Sequence, residues 1–147
     1  MSRWMAVTML LGGGLFAGVA VSIAYERVPA WRSANLSEFR STFAHTLRRV
    51  DRLQPALLTA CLAATIGFAT VEGGAARMLA LVAAAGFLAV LLGSAAWLVP
   101  LQRRLVAPGQ PATAELERDR TRWLRGHAVR TIIGVAALTL AILAATA

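Results

Sequence analysis

Lysine is missing from these 147 residues: all 15 basic side chains are arginine, set against only 7 acids. Cysteine occurs once, as Cys61, which excludes an intramolecular disulfide. Two histidines and that one cysteine, far apart in sequence, match no zinc-ligand spacing, so no metal site is expected. No serine or cysteine nucleophile motif is present. The glycine-rich run LGGGLFAGVAVS (11–22) lacks the GK[ST] ending of a phosphate loop and lies inside an apolar stretch. Charge is scarce, at 15% of residues. The net +8 is not laid out as a basic helix face interleaved with base-stacking aromatics, so no nucleic-acid partner is expected. No long internal repeat is visible.

Apolar residues fill the space left by these absences. They make up 58% of the chain, with a mean hydropathy of +0.64. A soluble domain of this size could not cover so much apolar surface with so few charges. A bilayer solvates that surface directly. Hydropathy predicts four spans, at 4–25, 55–71, 78–99 and 128–147. Runs of this length cross a hydrocarbon core of about 30 Å as helices, because a backbone in lipid must satisfy its own hydrogen bonds. The expected architecture is all-α: one integral membrane four-helix bundle over 1–147, with amphipathic helical loops.

Arginine placement orients the bundle. The loops 26–54 and 101–127 hold twelve arginines; the opposite side has Arg3 and Arg77. The positive-inside bias predicts a multi-pass protein of the cytoplasmic (inner) membrane, with both termini outside and both long loops cytoplasmic. A signal peptide cleaved after Ser22-Ile23-Ala24 is the competing reading of span one. The run is long for a signal, and cleavage would leave six arginines of 26–54 outside.

Within span one, Gly14, Gly18 and Ser22 form a small-xxx-small stripe, which predicts close helix contact within the chain or between chains of a homo-oligomer. Gly86, Ala89 and Gly93 suggest the same for span three. In the first loop Asn35 or Ser37 can cap a helix towards Gln54. Phe39, Phe43, Leu47, Val50 and Leu53 fall on one side of it, and His45, Arg48, Arg49 and Arg52 on another. In the second loop APGQP (107–111) is a break, and Thr113 can cap a helix that runs on into span four, with Glu115 and Glu117 in its first turn.

Ionisable groups gather at the loop side of the bundle. Arg120, Trp123, His127, Arg130 and Gly134 follow helical spacings of three and four and form one stripe. Gly134 leaves room beneath Arg130, of the kind a bound ligand or a neighbouring helix would fill. His45, Asp51, Arg52, Trp97 and Gln102 lie near the other span ends on the same side. His127, neutral near pH 7, is a candidate base or ligand. Bis-histidine haem ligation by His45 and His127 stays open.

Several segments carry a family resemblance: GGLFAGVAVS in span one, VP at 28–29, RVDRLQP before span two, WLVPLQ at 97–102, and RWLRGHAVRT opening span four. With these the chain resembles the anthrone oxygenase family of small four-helix membrane proteins. It departs from the family at Asp51, Gln102 and Gly126, where members often carry asparagine. The resemblance implies a membrane oxygenase that turns an apolar, anthrone-type polyketide into a quinone. Dioxygen would be the co-substrate, and no cofactor is expected. It implies His127 as base and Arg130, with Arg52, as stabiliser of a phenolate or enolate oxygen. Trp97 and Trp123 would line an aromatic pocket, with Asp51, Gln102 and His45 as further substrate-binding candidates. The alternative is a non-enzymatic membrane module: a small-ligand binder, a transport accessory or a partner subunit.

If His127 is functional, His127→Ala is expected to leave folding largely intact, because an interfacial histidine rarely holds a bundle together; collapse of expression and of thermal stability in detergent would favour a packing role.

Overall fold

A computed structural model describes residues 2–50, 53–109 and 113–147. These residues form a helical membrane bundle. Helix α1 is Ser2–Ser33, α3 is Leu53–Val71, α4 is Gly74–Val106 and α5 is Ala114–Thr146; each is long and apolar enough to cross a membrane. The short helix α2, Leu36–Val50, joins α1 to α3. The predicted spans are the apolar cores of these helices. The helices themselves run further at the arginine-rich end, where charged faces replace lipid-facing ones. The long helices form a ring in which α1 touches α3 and α5, and α4 touches α3 and α5.

Local chemistry explains the helix ends. Asn35 Oδ1 accepts the Glu38 backbone N–H at 2.9 Å and so caps α2. Thr113 Oγ1 accepts the Leu116 N–H at 3.3 Å at the start of α5. The α3–α4 turn is tight because Gly74 takes a φ of +54°, a conformation that side chains disfavour.

Two of the long helices change their pitch at matching places. Pro29 and Pro100 lack an N–H and would clash with the carbonyl four residues earlier. Just before each, the helix widens into a π turn, Ile23–Arg27 in α1 and Ser94–Leu98 in α4. The Val28 N–H then bonds the Ile23 carbonyl, and the Val99 N–H bonds the Ser94 carbonyl. Each helix continues through its Val-Pro without breaking.

Small residues set the helix spacing, because lipid gives no hydrophobic drive for one apolar helix to bury against another. A Cβ on Gly86 would sit 2.9 Å from the Ala137 Cβ, and one on Gly12 would sit 3.1 Å from the Cys61 Cβ. Of the residues expected to make close contacts, Gly86 does so within the chain and the others do not. Gly14, Gly18 and Gly93 have no neighbouring atom within 4 Å of a built Cβ, and Ser22 and Ala89 are exposed. The contacts of α1 are made by Gly12 and Gly13 instead, one helix face round. Cys61 packs in this seam and donates its thiol to the Met9 carbonyl at 3.3 Å.

Two cores result. Between the spans, Phe16, Phe68 and Phe87 mesh with alanines such as Ala80, Ala137 and Ala141. At the other end, Trp31, Phe39, Phe43, Leu101, Leu105 and Trp123 pack beneath the short helix. The apolar side of α2 is as expected for Phe39, Phe43 and Leu47, all buried; Leu53 instead opens α3 and is exposed.

The helix seams yield a paired prediction. Gly86→Ala should lose about 1–3 kcal/mol through overpacking against Ala137. Gly93→Ala, which enters open space, should be neutral or gain up to about 1 kcal/mol in helix propensity. Thermal unfolding of both variants in detergent checks this; equal behaviour would show that the α4–α5 seam has slack.

Candidate functional site

The stripe on α5 faces inward. His127 is 0% exposed, and Trp123 is buried beside it. The two rings stack in parallel, with centroids 5.1 Å apart and planes 7° apart. Trp123 also meets Phe43 edge-on at 4.7 Å and Trp31 at 5.9 Å. Phe43 stacks on Phe39, over which the Arg120 guanidinium sits. One aromatic column therefore runs from the arginine-rich end of the bundle down to His127. Trp31, a member that sequence spacing does not reveal, is held by its Nε1–H on Thr42 Oγ1 at 3.1 Å.

Below the column lies Arg130. Its Nη2 reaches the Gln54 Oε1 on α3 at 3.0 Å and the His127 Nδ1 at 3.3 Å. Its guanidinium also lies 5.8 Å from the centre of the Phe16 ring on α1. That ring occupies the room left by Gly134, where a Cβ would come within 2.8 Å of Phe16 Cε1. The gap beneath Arg130 thus serves a neighbouring helix.

These contacts fix hydrogen positions. A guanidinium only donates, so Nδ1 of His127 must accept from it. Nε2 then carries the hydrogen and donates to the Ala20 carbonyl, 3.2 Å away on α1. By the same logic the Gln54 oxygen faces Arg130 and its NH2 group points away. Both ring nitrogens of His127 are engaged, and ligating a haem iron would require giving up one of these bonds.

A cavity of about 610 Å³ opens next to this network. Its walls are mostly apolar and include Phe16, Leu58, Leu91 and Leu98, while Trp31, Trp123, Gln54, Ser94, Gln102 and Arg130 bring rings and polar groups to it. Gln54 Nε2, Ser94 Oγ and Trp123 Nε1, on residues that line this cavity, are buried and have no hydrogen-bond partner among the described residues. A buried polar atom left unpaired costs about 1–3 kcal/mol, so these atoms are unmet hydrogen-bonding capacity on residues that border one cavity. The amide and the indole can only donate here, and the hydroxyl can do either.

The other candidates from sequence fall in different places. Gln102 and Trp123 line the cavity; His127 does not, since it is walled off behind Arg130 and Trp123. Trp97 is half exposed on the outside of α4 and His45 is exposed on α2, and neither lines the cavity. Asp51 and Arg52 lie outside the described residues. Gly126 packs on Leu98, whose Cδ2 would be 2.7 Å from an added Cβ. Gln54 and Ser94 were not among the sequence candidates. Gln54 had one visible signal, an amide directly before Pro55 at the mouth of an apolar span.

Burial also overturns the expectation for His127→Ala. The substitution empties a closed site and removes the acceptor of one Arg130 bond. It should cost about 2–4 kcal/mol, by cavity formation and a lost charged hydrogen bond, and lower the unfolding temperature in detergent. An unchanged melting profile would contradict the arrangement described.

A family model described as anthrone oxygenase matches residues 43–140, well over half of the chain. That segment supplies most of the cavity, including Gln54, Ser94, Trp123 and Arg130. No curated protein and no solved structure matches the chain.

Proposed function

The chain belongs to the anthrone oxygenase family, and from that membership we propose that it is a membrane oxygenase for a flat, apolar, oxygen-bearing aromatic of the anthrone type. The observation that carries this reading is the apolar cavity, whose lining residues Gln54, Ser94 and Trp123 carry unpaired buried polar atoms. Its volume is in the range of small-molecule sites, about 300–1,000 Å³. Its donors suit an oxygen that becomes negative during reaction.

An anthrone has a ring CH2 opposite its carbonyl. Loss of one CH2 proton delocalises the electron pair onto the carbonyl oxygen. In this reading that oxygen sits near Arg130, Gln54 Nε2 and Trp123 Nε1, whose hydrogens offset the developing charge in a dry site. The electron-rich carbon reduces dioxygen and binds it, forming a hydroperoxide at the former CH2. Loss of water leaves a carbonyl there. One oxygen atom of dioxygen enters the quinone and the other leaves as water, so the reaction balances as anthrone plus dioxygen to anthraquinone plus water. The proton departs to water at the open side of the cavity.

His127 is assigned a different part from that expected on sequence. It does not border the cavity, and its Nδ1 lone pair is taken by Arg130. It is a positioning residue that aims the guanidinium. The same reading retains the membrane topology suggested by arginine placement, with the arginine-rich end and the cavity mouth on the cytoplasmic side.

The test is oxygen uptake by purified protein with a hydroxylated anthrone, with quinone absorbance followed in parallel against protein-free oxidation. Trp123→Phe keeps the ring and removes one donor; it should lower kcat about 10- to 1,000-fold. His127→Gln keeps an acceptor for Arg130 but no basic nitrogen. It should retain most activity, whereas loss on the scale of Trp123→Phe would restore His127 as the base. Tight binding without oxygen uptake would assign the cavity to ligand carriage rather than catalysis.

A further inference from the structure

Besides the partly buried Arg130, two exposed arginines border the cavity. Arg48 of α2 and Arg103 of α4 both line it, from facing elements. Arg48 ties its Nε to the Ala44 carbonyl at 3.3 Å. Neighbouring arginines are committed elsewhere: Arg104 and Arg122 to the buried Asp119 at 3.4 and 3.5 Å, and Arg120 to Glu117 at 2.7 Å and the Ala34 carbonyl at 2.8 Å. Arg40 donates to the Leu105 and Ala107 carbonyls. Among the described residues no carboxylate pairs with Arg48 or Arg103, and no acidic side chain lines the cavity. Two like charges bordering one apolar opening repel each other, and an anion between them removes that repulsion.

We propose that the cavity takes an aromatic ligand with a carboxylate at one end, its apolar body among the rings and its carboxylate between Arg48 and Arg103. This inference rests on the proposed aromatic site and adds a charge requirement to it. The two arginines are specificity determinants, remote from the ring carbon that reacts. Both are partly solvated, so their contribution is modest and sensitive to salt.

The experiment compares anthraquinone-2-carboxylate with anthraquinone-2-carboxamide, of similar shape but uncharged. Binding to the purified full chain in neutral detergent is read by quenching of tryptophan fluorescence at low ionic strength. The carboxylate should bind about five- to tenfold more tightly than the amide, with the preference lost in Arg48→Gln/Arg103→Gln and in high salt. Arg125→Gln makes the same kind of charge change on an exposed residue outside the cavity and should keep the preference. Equal binding of the two compounds by the unaltered protein overturns the proposal and leaves the aromatic site standing. So does loss of the preference in Arg125→Gln, which would mark a general charge effect. Binding of neither compound counts against the aromatic site and against the anionic end with it. If phosphatidylglycerol in the micelle abolishes the preference while amide binding is unchanged, the arginines belong to lipid headgroups and the proposal falls.

Discussion

A guanidinium inside a helical membrane bundle is the constraint around which the rest is arranged. Arg130 cannot shed its charge, and a charge among apolar helices is expensive unless its hydrogens are used. Three of the long helices meet that demand: α1 through the Phe16 face, α3 through the Gln54 oxygen, and α5 through His127, which is itself pinned to the Ala20 carbonyl of α1. Well-packed apolar residues could make such a bundle at least as stable. What the cation adds is direction. Because it can only donate, every polar group attached to it has a determined orientation, and the series ends at Gln54, a residue of the cavity lining.

Aromatic rings do for the other end of the bundle what Arg130 does below. Trp31, Phe39, Phe43 and Trp123 come from α1, α2 and α5 and lock edge-to-face or stacked. Such pairs add about 0.5–1.5 kcal/mol each beyond burial. Trp123 belongs to both systems, with its face on His127, a buried N–H without a partner, and a place in the cavity lining. The cavity therefore lies where a polar network and an aromatic cluster share one residue, which gives it hydrogen-bond donors and apolar walls at once.

Much of this was legible in the sequence. Hydropathy located the spans, because lipid demands long apolar runs whatever the tertiary packing. Helical spacing placed Trp123, His127 and Arg130 on one stripe, which the structure turns inward. Asn35 and Thr113 announced their helices by capping chemistry. Where the reading went astray, it lacked the partner helix. Gly14 and Gly18 look like a contact face, yet within the chain Gly12 and Gly13, one step round, make the contacts. At Gly134 the sequence left a ligand and a neighbouring helix open, and only the partner helix decides for Phe16. Trp97 and Trp123 are equal as tryptophans near a span end, and only the rotation of each helix decides that one is half exposed and the other buried. Ser94 is a lone hydroxyl in an apolar run, which ordinarily bonds its own helix and signals nothing.

The paired π turns also bear on how such a chain tolerates change over time. A π turn holds one residue more than the α-helical turn it replaces, so each slips the angular phase of everything beyond it. Leu98 and Leu101 on α4, and Val28 and Trp31 on α1, owe their inward headings to that slip. Losing a single residue upstream, with the π turn kept, would leave hydropathy, charge and helix length almost untouched. It would nonetheless turn the segment below by about 100° relative to the segment above, carrying a wall of the cavity round towards lipid. In α1 and α4 residue number is thus under tighter constraint than residue identity: an exchange of one aliphatic side chain for another is a local matter, while a one-residue deletion rewrites the interior.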